Sequence, residues 1–141
     1  VTLAEAIAGE PDLLLKMDAE GAEYETLPIT DVSMCAAVVL EVHDLDEAEY
    51  RVRLAAIMER LEPDFVLVHI HGNSCCPALP LPRVLQGAGD GLPRVLEFTF
   101  VNRRLHRAPL ELDDGTFPVP GLDATNVEDV PDLRLGWVNR Y

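Results

Sequence analysis

The chain has 141 residues, 48% of them hydrophobic and 26% charged, which excludes a disordered tract and fits one domain with a real core. Its 25 Asp and Glu against 11 Lys and Arg leave a net charge of -14, a field that repels phosphate backbones and anionic lipid, so neither nucleic acid nor a membrane is an expected partner. Two of the three cysteines are adjacent, which makes no disulfide framework and no Cys-x-x-Cys metal pair; with no bilayer-length apolar run and no signal pattern after Val1, a reducing, cytoplasmic setting is expected.

Thr2 and Glu5 form a capping-box signature and Gly9 closes the segment, which predicts a first helix over Leu3 to Ala8. Glu10-Pro11-Asp12 turns the chain into a strand over Leu13 to Met17. A short helix follows from Ala22 to Leu27, with Tyr24 and Leu27 on one face and Pro28 interrupting it. Cys35 to Val42 is nearly all apolar without alternation, the pattern of a strand covered on both faces. Asp46 and Glu49 make a second capping box, after which Leu54, Ile57, Met58 and Leu61 keep helical spacing until Pro63. Phe65 to Ile70 reads as another buried strand.

The stretch from Gly72 to Pro93 is rich in Gly and Pro and predicts a loop or lid. Arg94 to Val101 alternates, with Val95, Glu97, Thr99 and Val101 on one face and Leu96, Phe98 and Phe100 on the other. Beyond Asn102 the pattern dissolves into a turn at Asp113-Asp114-Gly115 and an extended tail, whose Leu135, Trp137 and Tyr141 are expected to pack back onto the body. This order of elements predicts an α/β fold whose sheet is mostly parallel, with an antiparallel last strand.

In an open α/β sheet, ligands bind beyond the carboxyl ends of the parallel strands, and that edge collects Asp18, Glu20, His43, His71 and Asn73. Asp18, Glu20 and Glu23 either face a ligand or simply favour the positive end of the following helix. Glu41 sits in an otherwise apolar strand and needs a partner, either a satisfied core pair or a site residue. His43 at the strand end is placed to accept a hydroxyl proton. His69 and His71 point to one face and either hold a metal, completed by Asp18, Glu20 or His43, or serve as structural polar groups. Gln86-Gly87-Ala88-Gly89-Asp90-Gly91 imitates a cofactor loop, but prolines on both sides make a mobile turn the better reading.

Leu15-Lys16-Met17-Asp18-Ala19-Glu20-Gly21-Ala22-Glu23, then Leu40-Glu41-Val42-His43, then Val68-His69-Ile70-His71-Gly72-Asn73, then Val95-Leu96-Glu97-Phe98-Thr99 resemble the FkbM-type methyltransferases. The first block resembles that family's signature, and the tail Pro118-Val119-Pro120-Gly121-Leu122-Asp123 is similar to members of the group. Ser74 departs from the pattern, standing where a second asparagine is expected, and the Gly- and Pro-rich loop after it is longer than usual.

The resemblance implies a Rossmann-like sheet and S-adenosylmethionine-dependent O-methylation of a small hydroxylated acceptor such as a sugar or polyketide. It implies that this chain, a single domain over 1–141, is the carboxy-terminal part of the methyltransferase domain. The cofactor-binding half is then expected upstream of Val1, and the isolated piece has little activity. Asp18, His43 and His71 are then the catalytic candidates, and Glu20, Glu23 and Asn73 the substrate-binding ones. A divalent metal on Asp18, Glu20, His43 and His71 is the alternative way to lower the acceptor's pKa. A truncated sheet exposes an edge that can pair with a second copy, so a homodimer is conceivable. Two competing readings are a metal-dependent hydrolase built on His69, His71 and Asp18, and a non-catalytic α/β interaction domain.

Overall fold

A computed structural model of the chain describes residues 1–80, 91–105, 125–131, 133 and 135. Helix α1 (Leu3–Ile7) opens on a complete capping box: Thr2 Oγ1 accepts the Glu5 amide, and the Glu5 carboxylate accepts the Thr2 amide. Strand β1 (Leu14–Met17) leads to the short helix α2 (Glu23–Thr26), which passes directly into a single 3-10 turn over Leu27–Ile29. Pro28 interrupts the helix as expected: α2 stops at Thr26, and the ring takes an early position of the 3-10 turn, where the missing N–H costs nothing.

Strand β2 (Ala37–Val42), helix α3 (Ala48–Leu61), strand β3 (Phe65–Gly72) and strand β4 (Leu96–Asn102) complete the order. The architecture is α/β with one open, mixed sheet of four strands in the order β1-β2-β4-β3. β1 pairs parallel with β2, while β4 is inserted between β2 and β3 and runs antiparallel to both. Three strands therefore share one direction and the last opposes them, as expected from the sequence, although only the β1 to β2 ladder is a parallel pairing.

The core lies between the sheet and the helices α2 and α3. Val38, Leu40 and Val42 of β2 and Leu96, Phe98 and Phe100 of β4 meet Ile57 and Leu61 of α3 there. Burial in β2 alternates strictly, so the expectation of a strand covered equally on both faces is corrected: Val39 and Glu41, on the face away from α3, are only half-buried. Alternation in β4 is as expected, and Asn102 extends its buried side.

The second capping box does not form. Helix α3 starts one residue after Glu47, which makes no side-chain cap, and Asp46 instead holds Arg94 at 2.9 Å, tying the helix entry to the segment that leads into β4. A charge-assisted bond to a guanidinium is stronger than a neutral cap bond, which explains why Asp46 is drawn away. Of the expected loop, residues 81–90 lie outside the described set; its two ends meet through a reciprocal Leu79 to Leu92 bridge. Leu135 packs against the core as expected, whereas Trp137, Tyr141, the 113–115 turn, the 118–123 block and most of the glycine loop lie outside the described residues.

Candidate functional site at the carboxyl edge of the sheet

The parallel ladder pairs Met17 with Leu40, so the chain leaves β1 at Asp18 beside the end of β2, where Glu41, Val42 and His43 follow. Glu20 and Gly21 both take positive φ, 50° and 105°, which turns the chain sharply into α2. Gly21 has no Cβ to clash, so its value is cheap, whereas Glu20 and the later Asp44 (φ 57°) hold a conformation most side chains avoid. That turn swings Glu23 back beneath the rim, where its Oε2 accepts the Gly21 amide at 3.0 Å and the side chain is fully buried.

His43 is the centre of the arrangement. Its Nε2 lies 3.2 Å from Glu41 Oε1, 3.6 Å from Glu20 Oε2 and 3.9 Å from Asp18 Oδ1. On the opposite side of the ring, Nδ1 faces Glu23 Oε1 at 3.5 Å. The backbone is held as well, since Tyr24 donates its hydroxyl to the His43 carbonyl at 2.6 Å. Burial, and then the neighbouring Glu23 carboxylate, push the Tyr24 phenol above its ordinary value, so it stays a donor. Burial also raises the Glu41 carboxyl, helped by the negative charges of Asp18 and Glu97 and opposed by His43 and Lys16.

One ligand atom each from Asp18, Glu41 and His43 lie within 4.8 Å of one another, a set able to hold a metal ion. It differs from the metal set expected from the sequence. Glu41 takes part, and His71 stands apart.

His71 and Asn73 do reach the same edge and belong to a second polar group. The pairings Glu41 to Glu97 and Glu97 to His71 place the three in one row across β2, β4 and β3. Two strand spacings of about 4.8 Å put the His71 backbone roughly 10 Å from that of Glu41, with Glu97 between them. There Glu97 Oε1 accepts Asn126 Nδ2 at 3.0 Å and Asn73 Nδ2 at 3.4 Å, and His71 Nε2 meets Asn126 Oδ1 at 2.9 Å. His69 and His71 share a face as their spacing requires, with ring centroids 6.4 Å apart and stacked. Ser74 is buried, and its hydroxyl has no hydrogen-bond partner among the described residues.

The rim thus assembles Asp18, Glu20, Glu23 and His43 from the expected residues and adds Glu41, with Glu97 and Asn126 in the adjoining group. Glu97 carried a readable signal, a carboxylate on the less apolar face of an alternating strand, but its place opposite Glu41 depends on β4 being inserted. Asn126 carried none. No helix among the described residues is long and apolar enough to cross a membrane. No family model matches the chain, and no curated protein and no solved structure matches it significantly.

Proposed function

We propose that this rim is the acceptor-binding and proton-removing side of an S-adenosylmethionine-dependent O-methyltransferase whose acceptor is a small hydroxylated molecule of sugar or polyketide type. One observation carries the reading: His43, at the carboxyl end of β2, has a fully buried carboxylate behind Nδ1 and three more around Nε2. Two features of the sheet support it. The strands β1, β2 and β3 run in one direction toward this edge, and β1 pairs only with β2 among the described residues, which leaves its outer edge open for further strands of a larger Rossmann-like sheet.

S-adenosylmethionine supplies an electrophilic methyl group when bound. The described residues form the acceptor side of the reaction, and the reading leaves the donor's own binding residues unassigned. The chain's own residues handle the acceptor. His43 Nε2 takes the hydroxyl proton as the oxygen attacks, and Glu23 stabilises the resulting imidazolium from behind. Asp18 and Glu20 accept hydrogen bonds from neighbouring hydroxyls and hold the attacking oxygen in line. His71, Asn73 and the Glu97 to Asn126 pair are the next polar groups along the same edge, within reach of a larger acceptor. Crowded carboxylates repel an anionic acceptor, which favours a neutral or cationic one.

The test is methyl transfer by the complete protein that carries this chain, with labelled donor and a panel of sugars and polyketides. His43→Ala is expected to lower kcat by about 100-fold to 10,000-fold, the usual contribution of a positioned base. Asp18→Ala is expected to raise KM for the acceptor. Near-normal turnover in both variants overturns the assignment. A hydrolase centred on His69 and His71 is less favoured, because the metal-capable set gathers at His43 instead. Tight donor binding by the complete protein would count against a purely non-catalytic interaction domain.

A further inference from the structure

We infer that Asp18, Glu41 and His43 form a binding site for one octahedral divalent cation of the manganese class, with the buried Glu23 orienting the imidazole from behind. The inference concerns the same rim but goes beyond methyl transfer, since cation capture needs neither donor nor acceptor. Charge is the first argument. Asp18, Glu20, Glu23 and Glu41 all stand within 3.9 Å of one imidazole, and Lys16 is the cation beside Glu41. One histidine and one lysine do not balance four carboxylates.

The second argument is the state of Glu23. It is fully buried, yet its Oε1 has no hydrogen-bond partner among the described residues and is aimed at His43 Nδ1, which also has none. Leaving a buried carboxylate oxygen unsatisfied is costly. A cation on Nε2 fixes the proton on Nδ1, polarises that N–H and draws it onto Glu23, the carboxylate–histidine–metal relay by which outer residues orient a ligand.

Geometry is the third. An octahedral ion with bonds of about 2.1 Å holds adjacent ligand atoms about 3.0 Å apart and opposite ones about 4.2 Å apart. His43 Nε2 lies 3.2, 3.6 and 3.9 Å from Glu41, Glu20 and Asp18, so side-chain shifts of well under about 1 Å bring these atoms to those separations. Glu20 is mostly exposed and can serve as a further, exchangeable ligand. Carboxylates favour hard, oxygen-preferring ions, and the single imidazole shifts the preference from magnesium toward manganese. Ion and proton compete for Nε2. With the ion in place His43 would be a ligand, and the ion would supply the Lewis acidity that lowers a hydroxyl's pKa.

The experiment is a titration of the whole chain with Mn2+, read by loss of the free-ion electron paramagnetic resonance signal. One ion per chain is expected. Asp18→Asn and Glu41→Gln should each weaken binding by at least about tenfold, and Glu23→Gln by roughly 10-fold to 100-fold. Glu25→Gln, an exposed residue paired with Arg53, should leave binding unchanged. As a check that needs no variant, Mn2+ should broaden the His43 ring resonances of the native chain ahead of those of His69. Substoichiometric binding, equal affinity in Asp18→Asn and Glu41→Gln, or broadening that spares His43 overturns the inference. Because the readout uses no donor or acceptor, its failure and a failure of methyl transfer are separate results.

Discussion

Asn102 shows how one polar side chain can hold a fold together. It is buried, and its Nδ2 donates to the carbonyls of Ser33 and Cys35 at 2.7 and 2.9 Å while its Oδ1 accepts the Arg104 amide at 3.1 Å. Asn102→Ala strands both carbonyls and should cost about 1 to 3 kcal/mol, measured as a shift of the urea midpoint. Glu41 illustrates the opposite balance. Its carboxyl is raised from the ordinary 4.5, so the folded state holds its proton more tightly than the unfolded chain does. The resulting stability is fully present below the ordinary value and is lost as pH rises through the raised one. Glu41→Gln should therefore gain most over the native chain near neutral pH, with the gap closing as pH falls toward 4.5; a gap that widens on acidification would contradict this.

At the scale of elements, α3 is bound to the sheet by a narrow apolar stripe. Ile57 and Leu61 are fully buried, whereas Val52 on the outer side is 72% exposed. Leu61→Ala is expected to destabilise by about 2 to 5 kcal/mol and Val52→Ala by less than about 0.5 kcal/mol in the same denaturation assay. The entry to that helix follows a different logic. Asp46 is spent on Arg94, so Asp46→Ala should loosen the approach to β4 more than the start of α3, seen as faster amide exchange at Val95 and Leu96 than at Ala48 to Arg51.

For the whole molecule, the open edge of β1 is the feature with the widest consequence. Leu14 is 66% exposed there, and β1 pairs with β2 alone among the described residues. An open edge can pair with another chain, and exposed Leu14 favours this while the short strand and exposed Lys16 oppose it, so the chain should self-associate weakly as concentration rises, and Leu14→Lys should suppress this in sedimentation velocity runs. Hydrophobic periodicity and prolines act locally, so the order of residues alone locates each strand and helix to within a few residues, with Asp18, Glu20 and His43 near strand ends and Glu23 in the first turn of a helix. The order of the strands, the half-open face of β2, the recruitment of Glu41 to the His43 rim and the removal of His71 to a neighbouring group were decided only by the tertiary structure. The reason is the insertion of β4 between β2 and β3: it sets Glu97 between Glu41 and His71, and no spacing along a chain records which strands become neighbours.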